Sequence, residues 1–154
     1  MFGNKLVSDR FRQVKNLNML HQTPFTIRTF HTDAFGHVNN SRYLEILEEA
    51  RWRYAEDIGL TQLIRPAGLG FIIIDLSLRF RRPVCEGDRI TVGTRLITLG
   101  SASGEVAQTI RRDDESADAV RGMFHFILVD RDTGKSVPIE GPIRDLLNGV
   151  LKNT

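Results

Sequence analysis

The sequence predicts an α+β domain in which an antiparallel sheet encloses one long helix. Residues 41–58 show the 3.6-residue apolar period of a helix that is buried along one side. From Gly70 onward the period changes to two, in four strand-like runs that are separated by short turn sequences. Strands grouped after a single helix are typical of the α+β class, and short links between them indicate antiparallel neighbours.

Size and composition are those of one globular domain. A chain of 154 residues can bury a full core but is too short for two ordinary domains. Its apolar fraction of 41% and charged fraction of 26% argue against a disordered or fibrous chain. We predict an N-terminal extension over residues 1–23 and a single domain over residues 24–154.

Charge and hydropathy argue against two classes of partner. A net charge of +2 is too small to predict a nucleic-acid-binding surface. No apolar run approaches the roughly 20 residues that span a bilayer, and residues 1–23 lack the apolar centre of a secretory signal. The single cysteine, Cys85, cannot form an intrachain disulfide, which fits a reducing compartment, so we expect a cytoplasmic protein.

The first predicted elements are a strand and the long helix. Residues 25–30 alternate as a short strand, and a loop that contains Gly36 then leads into the helix. Gly59 is expected to end that helix. Its predicted apolar arc comprises Tyr43, Leu44, Ile46, Leu47, Ala50, Tyr54, Ala55 and Ile58.

The strands that follow complete the predicted fold. In the strand that begins at Gly70, the residues predicted to share one face are Ile72, Ile74, Leu76, Leu78 and Phe80. Further strands are predicted at about 89–98, 105–111 and 119–130, and Pro142 suits the first position of a short final helix. The long helix is buried most simply if the sheet curls around it, which is the hotdog arrangement.

The segment that leads into the helix contains a candidate catalytic carboxylate, Asp33. It precedes the point near Asn40 where the loop becomes a helix, and the first N–H groups of a helix have no partner within it. Such groups favour negative charge and can hold a carbonyl oxygen while the carboxylate, or a water that it activates, attacks the carbon. The pattern therefore points to acyl transfer, although an Asp in such a loop can equally serve as a turn residue.

Four stretches of the chain, residues 31–45, 47–52, 80–84 and 87–88, resemble the signature of the 4-hydroxybenzoyl-CoA thioesterase-like hotdog enzymes. Within that family the chain is most similar to the bacterial long-chain acyl-CoA thioesterase III group, over about residues 24–150. The resemblance implies hydrolysis of an acyl-CoA thioester, with Asp33 as the catalytic carboxylate and a backbone N–H near Asn40 polarising the carbonyl. It also implies a homodimer or tetramer with the active site at a subunit interface, and no cofactor, because coenzyme A is part of the substrate.

One position departs from related enzymes. The Tol-Pal-associated thioesterases have a His where this chain has Asn40, so His37 is the nearest candidate to supply acid or base assistance, or it serves only to order Asp33. Asn39 and Asn40 are interpreted first as loop and helix-start residues. We also expect Asn39 and Tyr43 to contact substrate.

Other charged residues are candidates for binding. Glu48 and Arg51 can meet on the helix, either as a structural ion pair or in the wall of the substrate cavity, with Glu48 in reserve as a second carboxylate. A group of arginines at the end of a strand either meets the phosphates of coenzyme A or forms an ordinary solvated strand end; its members are Arg79, Arg81 and Arg82.

Two further expectations concern the histidines and the rival functions. His125 reads as a sheet residue, and no His has metal-ligand spacing with a Cys or an acid, so we predict no metal. The alternatives to a thioesterase are a non-catalytic acyl-CoA-binding regulator and an acyl-thioester hydratase or dehydratase.

Overall fold

The computed structural model describes residues 21–152. Five strands and three helices follow one another as β1 (His21–Thr26), α1 (Asn40–Asp57), α2 (Leu60–Ile64), β2 (Leu69–Phe80), β3 (Arg89–Leu99), β4 (Ser103–Arg112), β5 (Asp118–Asp130) and α3 (Gly141–Lys152). A 3-10 turn over Thr29–His31 lies between β1 and α1.

The five strands form one antiparallel sheet in the order β1-β3-β4-β5-β2. β1 and β2 are therefore its two edges. One face of the sheet packs on α1, so the predicted α+β class and hotdog fold are confirmed. The strands predicted near 89–98, 105–111 and 119–130 and the final helix are confirmed as well.

Local interactions explain where α1 begins and ends. The Asn39 side chain caps the helix, because its Oδ1 accepts hydrogen bonds from the Ser41 backbone N–H at 3.0 Å and from the Ser41 hydroxyl at 2.9 Å. Gly59 stops the helix with a left-handed φ of +82°. The predicted bounds of the helix are thus confirmed to within a residue.

A β-bulge in β2 overturns the predicted single apolar face of that strand. The register with β5 shifts between Ile73 and Asp75, which exchanges the two sides of the strand. Before the bulge Phe71 and Ile73 pack into the core, whereas after it Leu78 does so and the Phe80 ring lies 5.3 Å from that of Tyr43. The large apolar residues of this strand that remain exposed are Ile72, Ile74, Leu76 and Phe80.

The beginning of the domain also differs from the expectation. The strand predicted over residues 25–30 is instead β1, and its pairing with β3 begins at His21. Residues 21–23 of the predicted extension therefore take part in the sheet, while residues 1–20 of it lie outside the described part of the chain. The short helix α2 had no counterpart in the sequence prediction.

The two larger of the three buried apolar clusters lie on the helix-facing side of the sheet. The first surrounds the beginning of α1 and includes Tyr43, Ile46 and Leu47. The second lies beyond the middle of α1 and includes Leu60, Leu96, Phe126 and Leu147. Leu44 and Trp52 of α1 belong to neither cluster and are exposed, so the predicted burial of Leu44 is wrong.

Gln108 lies in β4, the central strand of the sheet. Its side-chain amide is buried and faces α1. Its Nε2 donates to the Leu47 carbonyl oxygen at 3.0 Å and to the Thr94 hydroxyl at 2.9 Å. Because burial of an unpaired amide is costly, these bonds fix the separation of α1 from the sheet at this point.

Candidate active site

The loop before α1 holds Asp33 in a defined position. The Asp33 backbone N–H donates to the His37 carbonyl at 2.8 Å, and Gly36, with a φ of +77°, donates to the Asp33 carbonyl at 3.0 Å. Asp33 Oδ1 accepts the Phe35 backbone N–H at 2.8 Å. The other carboxylate oxygen, Oδ2, accepts no hydrogen bond from residues 21–152. One oxygen thus orders the turn, as the turn interpretation predicts, while the second is available to a substrate.

Backbone pairing ties this loop to the beginning of α1. The Asn39 N–H donates to the His31 carbonyl at 2.9 Å, and the Val38 N–H donates to the Val84 carbonyl at 2.8 Å. His37 forms an isolated bridge with Cys85. The carboxylate and the first turn of the helix are therefore positioned by the same short segment, which favours a fixed geometry between them.

The first turn of α1 contains one free N–H. The N–H of Ser41 bonds to the Asn39 side chain, and those of Arg42 and Tyr43 bond to the Asn39 carbonyl. The Asn40 N–H has no acceptor among residues 21–152. It is a donor at the positive end of the helix dipole, where an oxygen that gains negative charge is stabilised.

Tyr43 lies next to this end of the helix and is 3% exposed. Burial raises the pKa of Tyr43 to about 12, a hydrogen bond with the Val84 backbone opposes that shift, and the negative charges of Asp88 and Asp33 reinforce it. The phenol is therefore neutral at physiological pH. Asp33 lies close enough for its charge to influence the pKa of Tyr43. Of the predicted site residues, the structure brings together Asp33, His37, Asn39, Asn40 and Tyr43.

His37 contacts the carboxylate through its backbone. The His37 N–H lies 3.4 Å from Asp33 Oδ1, whereas its imidazole forms no hydrogen bond within the described part of the chain. This arrangement favours the loop-ordering interpretation of His37 for the protein without substrate. The ring is exposed and can still meet a bound substrate.

A cavity of about 140 Å³ lies beside the second half of α1. Its walls are mostly apolar and come from α1, α2, β2 to β5 and α3; they include Ala55, Leu60, Phe71, Leu96, Val106, Phe126 and Leu147. Glu48 is the one predicted site residue that lines it, together with Arg51 and Tyr54. An apolar cavity with a few polar groups is typical of a small-molecule site.

An exposed apolar strip connects the two regions. Leu44, Glu48 and Trp52 follow one another at helical spacing along α1, so they share a side of the helix. β2 runs alongside in the opposite direction, because Phe80 meets Tyr43 near the start of α1 while Phe71 and Ala55 line the cavity. We call the exposed side chains Leu44, Trp52, Leu76 and Phe80 the α1/β2 strip.

Of the two alternatives for Glu48 and Arg51, the structure shows both residues in the wall of the cavity and no ion pair between them. Arg51 Nη1 instead donates to Gln108 Oε1 at 2.7 Å, and its guanidinium lies 4.2 Å from the centre of the Phe124 ring. Burial lowers the pKa of Arg51 to about 10, and the Glu48 charge opposes that shift. The sequence analysis missed Gln108 as the partner of Arg51; the available signal was one amide inside a strand-like stretch, residues 106–110, that is mostly apolar.

The three arginines at the end of β2 are dispersed. Arg79 lies opposite Arg121 of β5 and, since Phe80 faces α1, on the other side of the sheet. Arg82 forms an ion pair with Glu115 at 2.9 Å. Arg81 is exposed and makes no ion pair with residues 21–152, so its guanidinium is the most available of the three.

His125 and the arrangement of the metal-binding residue types give no sign of a second site in the described part of the chain. His125 lies in β5, as predicted, opposite Asp75 and Glu105. Within residues 21–152, no three His, Cys, Asp or Glu side chains come together in a way that could hold a metal ion. No helix in that range is long and apolar enough to span a membrane.

A sheet packed on one long helix, with a carboxylate-bearing loop before that helix, is the arrangement expected from the resemblance to hotdog thioesterases. A family profile described as the thioesterase-like superfamily matches residues 27–147. The chain therefore belongs to this superfamily and is a thioester hydrolase.

Individual relatives refine this assignment. Long-chain acyl-CoA thioesterase FadM of Escherichia coli (strain K12) is 33% identical over 131 residues, which cover 85% of this chain and 99% of FadM. The crystal structure of YbaW, a probable thioesterase from Escherichia coli, matches with a TM-score of 0.77 and 32% identity, covering 84% of this chain and 98% of YbaW. A chloroplastic acyl-acyl carrier protein thioesterase of Arabidopsis thaliana, ATL3, is 28% identical over 57% of this chain and 47% of its own length.

Proposed function

We propose that the protein hydrolyses long-chain acyl-CoA to a free fatty acid and coenzyme A, with Asp33 as the reacting carboxylate. The main supporting observation is the free Oδ2 of Asp33 in a loop that leads directly to the free Asn40 N–H. The similarity to FadM over nearly its whole length supports the choice of acyl-CoA as the substrate.

In this proposal the thioester carbonyl oxygen accepts a hydrogen bond from the Asn40 N–H, which stabilises the negative charge that develops during attack. Asp33 either attacks the carbonyl carbon to form a mixed anhydride, which water then cleaves, or removes a proton from an attacking water. Either route expels the coenzyme A thiolate, which takes up a proton. The fixed Oδ1 keeps the reactive oxygen in one orientation.

A single turnover in ¹⁸O-labelled water separates the two routes. Label in the Asp33 carboxylate indicates attack by Asp33, because water that cleaves the anhydride at the Asp33 carbonyl leaves its oxygen there. Label in the fatty acid alone indicates either that Asp33 acts as a base or that water cleaves the anhydride at the acyl carbonyl, and hydroxylamine, which traps an anhydride as the hydroxamate, distinguishes these two cases.

The length of α1 supports a long acyl chain. From Asn40 to Ala55, which lines the cavity, the helix rises about 22 Å at about 1.5 Å per residue. An extended alkyl chain advances about 1.25 Å per bond, given C–C bonds of about 1.5 Å. A chain that runs along the α1/β2 strip therefore needs about 18 bonds to end in the cavity. A cavity of 140 Å³ has room for only the last few carbons.

A second copy of the chain would complete the site. β2 is an edge strand, so its outer N–H and C=O groups are available to pair with another β2, and exposed apolar edges of this kind favour association. Such pairing would also cover the α1/β2 strip, whose exposure is unusual for a monomer. We propose a dimer with its two active sites at this interface, and a tetramer as a pair of dimers.

The nucleotide end of the substrate is assigned to the surface near the end of β2. Arg81 is the first candidate to meet a phosphate there, followed by Arg79 and Arg82. Asn39, Tyr43 and His37 are assigned to the region around the thioester, with Asn39 acting through the helix cap. Coenzyme A enters as part of the substrate, and no cofactor is needed for this chemistry.

The test is incubation with palmitoyl-CoA and a thiol reagent that reports free coenzyme A. We expect catalytic release of the thiol. Tight binding of palmitoyl-CoA without release would overturn the proposal in favour of an acyl-CoA-binding regulator.

A further inference from the structure

Tyr43 lies where three segments meet: the first turns of α1, the loop before α1 and the connector between β2 and β3, residues 81–88. Its ring lies 5.3 Å from the ring of Phe80, where β2 ends and the connector begins. In the first apolar cluster it is buried together with Val38 of the loop and Val84 of the connector. One side chain therefore joins the segments that frame the candidate site.

Both polar groups of the Val84 backbone are used at this place. The phenol of Tyr43 forms a hydrogen bond with that backbone, and because the bond opposes the rise in the pKa of the phenol, the Val84 N–H is its donor. The Val84 carbonyl accepts the Val38 N–H at 2.8 Å. Val84 therefore links the phenol to the loop. Loss of the phenol oxygen would take this acceptor from an N–H in a fully buried residue, which is costly.

The loop that is held in this way carries Asp33. The Asp33 backbone N–H donates to the carbonyl of His37, the residue before Val38, at 2.8 Å. His37 also forms a bridge with Cys85, the residue after Val84. The position of the connector thus sets the position of the loop. A displacement of reacting groups by about 1 Å can cost up to roughly 10²-fold in rate, so a fixed connector matters for the chemistry.

We propose that Tyr43 is a positioning residue for the thioester reaction and fixes the Asp33 loop relative to the first turn of α1 through Val84. Tyr43 is 3% exposed and its phenol oxygen is bonded to the Val84 backbone, so it acts through Val84 and not by contact with substrate. It lies on the same helix as the Asn40 N–H, one turn further on, so it keeps that donor and the carboxylate in one arrangement. The inference rests on the proposed function for the reaction that Asp33 performs.

The experiment uses Tyr43→Phe, which removes the phenol oxygen and keeps the ring against Phe80. We expect kcat for palmitoyl-CoA to fall by roughly three- to tenfold, with KM changed by less than about twofold, because the substrate-binding surface is unaltered. Amide hydrogen exchange at Val38 should become faster by a similar factor, since its acceptor on Val84 is less firmly held. A residue that contacted substrate would instead change KM.

The matched control is Thr61→Val, which removes another buried hydroxyl; that hydroxyl bonds Gln62 at 2.9 Å on α2, beyond the other end of α1. Its kcat and its Val38 exchange rate should not change. For Tyr43→Phe, an unchanged kcat, a loss confined to KM or an unchanged Val38 exchange rate would each overturn the inference. If Asp33→Asn keeps substantial activity, the proposed function fails, and the Val38 exchange rate still decides whether Tyr43 holds the loop.

Discussion

Backbone hydrogen bonds position the proposed reactive groups at the start of α1, whereas side chains form the cavity beside its second half. At the start, the Asp33 turn and the Asn39 cap leave one carboxylate oxygen and one N–H unused. In the cavity, apolar residues from several elements surround Arg51, Tyr54 and Glu48. The difference suggests that the chemistry depends on a short local motif, while substrate choice depends on packing across the whole domain.

The largest effect is expected at the start of α1. Asp33→Asn should lower kcat by about 10² to 10⁴-fold, as loss of a catalytic base or nucleophile does, with little loss of stability because the Asn oxygen still accepts the Phe35 N–H. Asp130→Asn is the matched control, because Asp130 Oδ1 orders a turn in the same way through Thr133 but lies elsewhere. Substantial activity in Asp33→Asn would refute the assignment.

The α1/β2 strip is proposed to be covered by a second copy of the chain, and a charge on β2 tests that association. Ile74→Lys places a charge at the exposed β2 edge and should weaken the dimer at least tenfold, because a central interface residue contributes about 2 kcal/mol or more. Activity should fall in parallel, since the site lies at that interface. Sedimentation equilibrium measures the association, with Gln22→Lys on the opposite edge strand as the control. A monomeric protein with full activity would contradict the interface site.

A larger side chain in the cavity tests whether the end of a long acyl chain lies there. Ala55→Phe should lower the ratio of kcat/KM for hexadecanoyl-CoA over octanoyl-CoA by roughly tenfold, while activity on the short chain persists. A thermal melt should show a cost of about 1–3 kcal/mol from overpacking. Glu56→Phe, on the exposed side of α1, is the control. An unchanged ratio would place the acyl chain elsewhere.

A smaller effect is expected from the helix cap. Asn39→Ala should lower the free energy of unfolding by about 1 kcal/mol. Urea denaturation measures this loss. Asn40→Ala is the comparison, because the Asn40 side chain makes no hydrogen bond to residues 21–152, and it should be neutral or slightly stabilising. Equal losses in both variants would argue against the cap.

The smallest effect is a pH dependence from His31, next to the same loop. Burial, and then the charge of Arg42, lower the pKa of His31 below 6.5. The unfolded chain therefore binds more protons below that pH, so stability is fully present above about pH 6.5 and falls as pH drops toward the folded-state pKa. His31→Gln should flatten this part of the stability profile in urea titrations, and an unchanged slope would contradict the assignment.

Local signals in the sequence predicted most of the fold. The apolar period and Gly59 predicted α1, and the turn sequences predicted the strands, because these features depend on neighbouring residues. The bulge at residues 73–75 and the placement of β1 were not predictable in this way. They are set by the register with β5 and β3, which involves residues distant in sequence.

The candidate site likewise has parts that depend on neighbouring residues and parts that depend on residues distant in sequence. The loop from Asp33 to Tyr43 could be recognised because its residues are contiguous. Gln108 could not be recognised as the partner of Arg51, since only the packing of β4 on α1 brings the two side chains together. The Glu48–Arg51 ion pair, one of the two alternatives, does not form for this reason: helical spacing permits it, but the sheet offers Arg51 a buried acceptor and an aromatic ring.

The most direct test of the proposed site is a crystal structure with a non-hydrolysable ketone analogue of hexadecanoyl-CoA, in which a methylene group replaces the thioester sulfur next to the carbonyl. The account predicts that the carbonyl oxygen lies about 3 Å from the Asn40 backbone nitrogen, with Asp33 Oδ2 facing the carbonyl carbon. A carbonyl bound beside Glu48 in the cavity, far from Asp33, would contradict it.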